Sequence, residues 1–132
     1  MIKETALEYF KNNYSCSESI IKACIEEGLC SPELLPCAST FSSGMSSGCV
    51  CGTVAASQIV LGYHFGRENR FGNDVSAREK AAQMVEEFKN KNKLTCCRVL
   101  SAGLAGSEKK AHCAKFVADA CDILEELIKV KV

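Results

Sequence analysis

Residues 49–61 read CVCGTVAASQIVL and carry no charge at all. A helix that is apolar nearly all round has no face to offer water, so it belongs in the middle of a domain. The stretches on either side are amphipathic. Ile2, Ala6, Tyr9 and Phe10 make one apolar stripe at helical spacing, and Ile21, Cys24 and Ile25 a second. Ala81, Val85 and Phe88 make a third; Cys113, Val117, Ala120, Cys121, Leu124, Leu127 and Ile128 make a fourth. No segment shows the two-residue alternation of a strand. Amphipathic helices around one apolar helix predict an all-α, single-domain bundle of about five helices over residues 1–132.

Boundary signals divide the chain. The first helix runs from Ile2 to about Asn12, where Asn12-Asn13 stops it. Ser15-Cys16-Ser17-Glu18 fits a capping box, with the hydroxyl taking a backbone amide and the carboxylate reaching back. Gly28 ends that second helix. Ser31-Pro32 suits the start of one short helical turn. Residues 38–48, ASTFSSGMSSG, form a Ser- and Gly-rich loop before the apolar helix. Asn73 and Asp74 can cap the fourth helix, and Ser76 to Glu79 offers a second capping box. Thr95 is placed to cap a short helix holding Cys96 and Cys97. The last helix runs from about Ser107 to Lys129.

Sixteen basic residues balance sixteen acidic ones, so charge gives no reason to expect nucleic acid or an anionic membrane as partner. No run of about 18 apolar residues exists to span a bilayer. Residues 1–13, MIKETALEYFKNN, are charged and amphipathic and lack the apolar core of a signal peptide. A cytoplasmic location with reduced thiols is the expectation.

Ten cysteines stand out: Cys16, Cys24, Cys30, Cys37, Cys49, Cys51, Cys96, Cys97, Cys113 and Cys121. No Cys-x-x-Cys occurs among them. That argues against a thioredoxin motif, a zinc ribbon and a ferredoxin loop, all of which use that local step. Any shared site must be assembled from separate helices. Cys16, Cys51 and Cys97 each fall near an expected helix start, where unpaired amides and the helix dipole favour a thiolate. Cys24, Cys30, Cys37 and Cys121 read as small packed hydrophobes. Cys49 and Cys96 neighbour favoured cysteines and are open to either role. His64 and His112 suit metal ligation or thiolate tuning, but each alone reads more readily as a turn or surface residue. Arg67 and Arg98 are candidates for stabilising an anion.

With these residues in view, the chain resembles the C_GCAxxG_C_C family, small bacterial and archaeal proteins described as redox-active. Asn13-Tyr14-Ser15-Cys16-Ser17-Glu18 resembles the family's opening segment. Phe41 to Met45, with Gly48, Cys49, Val50, Cys51 and Gly52, is similar to its glycine-rich loop leading into Cys-Gly. Leu61 to Arg67 resembles the loop that follows. Cys97-Arg98-Val99-Leu100 and His112-Cys113-Ala114-Lys115 resemble its last two cysteine segments. Thr53 stands where the family usually has Ala, Ala55 near a usual Gly, and Ser42 and Ser43 in place of glycines. The resemblance implies four working cysteines at Cys16, Cys51, Cys97 and Cys113.

Related domains accompany haem segments in split-Soret-type cytochromes, which implies electron transfer and iron–sulfur binding. The expectation is therefore a redox protein with an iron–sulfur cluster or other metal on Cys16, Cys51, Cys97 and Cys113, four thiolates being the common ligand count. No Cys-x-x-Cys-His is present, so covalent haem is not expected. A cofactor-free thiol–disulfide oxidoreductase is the alternative, with Cys51 and Cys97 as the catalytic residues and Cys96-Cys97 or Cys49/Cys51 supplying the attacking and resolving thiols. Structural metal and a helical interaction module remain as further readings. A redox partner protein is expected, and a homodimer is one assembly open to the chain.

Overall fold

A computed structural model describes residues 2–129; Met1 and residues 130–132 of the expected domain lie outside it. It contains α1 (Ile2–Lys11), α2 (Cys16–Glu26), α3 (Leu34–Ala38), α4 (Gly52–Phe65), α5 (Val75–Asn92), α6 (Cys97–Leu100) and α7 (Gly106–Lys129). The all-α expectation holds, with seven α-helices among the described residues rather than about five. The two beyond five are the short α3 and α6, which fall where the sequence predicts a short turn after Pro32 and a short helix holding Cys97. Among the described residues no helix is long and apolar enough to cross a membrane.

The charge-free α4 is the centre. It packs against α2, α5 and α7, while α1 lies against α2 and α7. Val54, Ala56, Val60 and Leu61 are sealed from solvent, as are Thr53 and Ser57. The Ser57 hydroxyl donates to the Thr53 carbonyl at 2.8 Å, so this buried polar group stays satisfied. From α5, Met84 and Phe88 enter the core, whereas Ala81 and Val85 are only half-buried. From α7, Val117, Ala120, Cys121 and Leu124 complete it.

Local signals set most boundaries. Ser15 caps α2 in a complete capping box: the Glu18 amide donates to Ser15 Oγ at 3.3 Å and the Ser15 amide to Glu18 Oε1 at 3.0 Å. Glu18 also accepts from the Ser39 hydroxyl at 2.6 Å, which ties this helix start to the next segment. At α5, Asn73 Oδ1 accepts from the Val75 amide at 2.8 Å. The helix is already running at Ser76, so the second capping box is not used. α4 continues past the expected end at Leu61 to Phe65.

Two irregular segments matter most for the site. The first is a left-handed turn. Ser43, Gly44, Met45 and Ser46 all have positive φ, from 52° to 60°, and the Cys49 amide closes the turn onto the Gly44 carbonyl at 3.0 Å. L-residues disfavour this region by about 1–2 kcal/mol each. Gly44 is required there for a second reason, because a Cβ on it would sit 2.8 Å from Cys97 Cβ. The second is an antiparallel pairing of residues 49–51 with 95–97. The Cys97 amide donates to the Cys49 carbonyl at 2.6 Å and the Cys51 amide to the Thr95 carbonyl at 2.7 Å. Val50 stands opposite Cys96. Thr95 is therefore a pairing residue; Cys96, not Thr95, occupies the cap position of α6.

Candidate functional site

Four of the ten cysteines line one cavity of about 200 Å³: Cys16, Cys51, Cys97 and Cys113. Each comes from a different part of the chain. The capping box fixes Cys16 as the first residue of α2. Cys51 is the cap residue of α4, and Cys97 opens α6. The pairing of 49–51 with 95–97 brings these last two together. Cys113 projects from α7. Cys51 and Cys97 are buried; Cys16 and Cys113 are half-buried.

The walls around the thiols are specific. Gly52 leaves the room that Cys16 occupies: a Cβ there would stand 2.7 Å from Cys16 Sγ and 2.8 Å from the Phe41 carbonyl. The Thr53 hydroxyl lies 3.1 Å from Cys51 Sγ and shares a hydrogen bond with it. Phe10 and Phe116 supply apolar surface. Lys109 and Lys110 complete the lining, which includes no carboxylate. Lys110 Nζ donates to the Tyr14 carbonyl at 3.0 Å and lies over the Phe10 ring.

At Cys16 and Cys51 burial opposes the thiolate that a helix start favours, contrary to the sequence expectation. Burial, followed by the neighbouring Cys51, pushes the Cys16 thiol up to about 12, although the Ser43 amide pulls the other way. Burial also raises Cys51, opposed by the Thr53 hydroxyl and by the amides of Thr53 and Val54. Cys113 rises to about 11 through burial and then through Cys51 and Cys97, with Lys109 working against the shift. Desolvation penalises the charged form more than one helix end favours it, and the thiols repel one another as anions.

The remaining candidates fall elsewhere. Cys24, Cys30 and Cys121 are buried in the core, as packed thiols. Cys37 is exposed, contrary to expectation, because α3 is one short surface turn. Cys49 is exposed, and Cys96 Sγ donates to the Gly48 carbonyl at 3.4 Å; neither lines the cavity. His64 Nε2 meets the Leu29 carbonyl at 2.6 Å, and His112 Nε2 the Leu100 carbonyl at 2.9 Å. Both histidines join segments rather than face the thiols. Arg67 braces its own loop through the carbonyls of Arg70 and Gly72. Among the described residues no group of three or more His, Cys, Asp or Glu stands close enough to hold a single metal ion.

Residues 14–127 match the family described as "Putative redox-active protein (C_GCAxxG_C_C)". The chain belongs to the C_GCAxxG_C_C family. All four cavity cysteines lie within the matched span. No curated protein and no solved structure matches the chain. Sequence reasoning missed Lys109 and Lys110, although they precede Cys113 by four and three residues, the spacing of one helix face. Thr53 was visible as a departure from the C_GCAxxG_C_C pattern; its bond to Cys51 was not.

Proposed function

We propose that this protein transfers electrons through an iron–sulfur cluster held by Cys16, Cys51, Cys97 and Cys113. The observation that carries the reading is the shared cavity of about 200 Å³ with four thiols in its wall. One water needs roughly 10–15 Å³ by a comparable measure, so the space suits a group of several atoms. A single zinc ion draws four sulfurs to about 2.3 Å and leaves no such space between them.

Charge agrees. Four thiolates on a cluster leave an anionic centre, and the lining offers two lysines and no competing acid. Burial raises the Cys51 thiol, which makes that one residue a poorer nucleophile. When bound, a cluster supplies a one-electron couple whose potential follows burial, charge and hydrogen bonds to sulfur. The chain supplies those controls: Phe10 and Phe116 restrict water, the Thr53 hydroxyl and Ser43 amide face sulfurs, and Lys109 lies beside Cys113. Loading requires the thiols to give up protons. A redox partner protein exchanges the electrons.

The test is anaerobic reconstitution with ferrous iron and sulfide. Iron and bound sulfide in comparable amounts, with visible charge-transfer absorption, are expected. Cys51→Ser and Cys97→Ser should lose both, whereas Cys24→Ser should keep them. Failure of the reduced wild-type protein to retain iron and sulfide, or equal retention by Cys51→Ser, defeats the proposal. Zinc in place of iron in the purified protein also defeats it.

A further inference from the structure

A second depression, of about 600 Å³, opens on the outer side of the thiol cavity. The two share Ser43, Cys97, Ser101 and Lys109 as a common wall. Arg98 and the left-handed turn form the far side. Arg98 Nη2 donates to the Ser47 carbonyl at 2.9 Å. Gly48 makes this contact possible, since a Cβ there would crowd Arg98 Cβ and Nε at 3.0 Å.

That single bond orients the guanidinium and leaves its other N–H groups unengaged among the described residues. The Lys109 ammonium likewise makes no hydrogen bond or ion pair among them. No carboxylate lines the depression; Glu108, next to Lys109 in the chain, lies outside it. The Ser43 and Ser46 hydroxyls on the strained turn add unengaged donors. Backbone strain of this kind gathers where a loop is shaped around a ligand.

We propose that this groove binds the oxyanion of a small-molecule substrate, a carboxylate or a phosphate, and holds it against the Cys97 wall of the thiol cavity. The site rests on its own geometry and does not require the cavity to be loaded. Arg98 acts as an oriented fork and Lys109 as a point charge. The serine hydroxyls complete the hydrogen bonding.

The metal-free, reduced full-length chain is titrated at low salt with inorganic phosphate and, separately, with succinate, and backbone amide resonances are followed. The Gly48, Cys97 and Arg98 amides should shift and saturate with one probe, which identifies the source of the oxyanion. Arg98→Gln and Lys109→Gln should each weaken that binding by about tenfold. Arg98→Lys should restore only part of it, because the charge returns without the fork. Absence of saturable shifts with either probe at millimolar concentration overturns the proposal. So does equal binding by the wild type and the Arg98→Gln, Lys109→Gln double variant, with both folded by circular dichroism. Iron uptake is measured separately, so the two proposals fail independently.

Discussion

Gly52→Ala and Gly62→Ala are the same substitution in one helix, and they should act in opposite directions. At Gly62 a Cβ meets nothing within 4 Å. Alanine there gains helix propensity and restricts the unfolded chain, for about 0.5–1 kcal/mol of added stability. At Gly52 the new Cβ stands 2.7 Å from Cys16 Sγ and 2.8 Å from the Phe41 carbonyl. The sulfur can rotate away, but the carbonyl belongs to the backbone, so the loop entering the left-handed turn must move. Overpacking of this kind costs about 1–3 kcal/mol, more than the propensity gain at the first residue of a helix. The shift also separates Cys16 from the Ser43 amide that faces it. Urea denaturation followed by circular dichroism should place Gly62→Ala above the wild type and Gly52→Ala below it. Iron and sulfide retention should survive in the first and drop in the second. A Gly52→Ala protein as stable as Gly62→Ala, with full retention, refutes the claim that this glycine makes room for the site.

Ser15→Ala removes one arm of the capping box and should cost about 1 kcal/mol in urea unfolding. An unchanged midpoint counts against the cap as the anchor of Cys16. The metal-free protein should also weaken in alkali. Burial raises Cys24 and Cys121 well above an ordinary thiol, followed for Cys24 by Cys30 and for Cys121 by Glu125. The folded state then keeps protons that the unfolded chain releases, so stability is whole below about pH 8.5 and falls as pH rises through the folded values. Each such thiol contributes a slope of up to about 1.4 kcal/mol per pH unit, and a flat stability profile between about pH 8 and about pH 10 contradicts it. Thr53→Val removes the hydroxyl that lowers Cys51. Alkylation of Cys51 by iodoacetamide, resolved by peptide mass, should slow; an unchanged rate shows that the hydroxyl does not stabilise the thiolate.

The long helices were legible because their determinants are local. Periodic apolar residues marked α1, α2, α5 and α7, and the missing charge marked α4 as central. The Ser15 capping box needed four consecutive residues to recognise. The site was legible only in part. Helix-start reasoning and the family resemblance together selected the four cysteines that share the cavity, but burial raises Cys16 and Cys51 where a helix start alone favours the thiolate. A helix end is a sequence feature; burial beside three other thiols is a tertiary one, and it dominates. The misplaced cap at Thr95 has a similar origin. Its carbonyl is taken by Cys51, far along the chain, and no local pattern announces that pairing. Composition marked residues 38–48 as a loop, but Ala38 closes α3, residues 39–41 form a 3₁₀ turn, and the left-handed path of residues 43–46 has no signature in composition.

The hand of that turn has a consequence for redesign. Ser43, Met45 and Ser46 are side-chain-bearing residues held where glycine is the comfortable choice. At about 1–2 kcal/mol each, they withhold several kcal/mol from a fold whose whole margin is of order 5–15 kcal/mol. A procedure selecting for thermal stability alone would convert these positions to glycine early. It would relax the turn, loosen the wall shared with Cys97 and discard the Ser43 and Ser46 hydroxyls. Stability and site shape therefore trade against each other in residues 43–46, and a more heat-resistant variant obtained there should be a poorer ligand-binding protein.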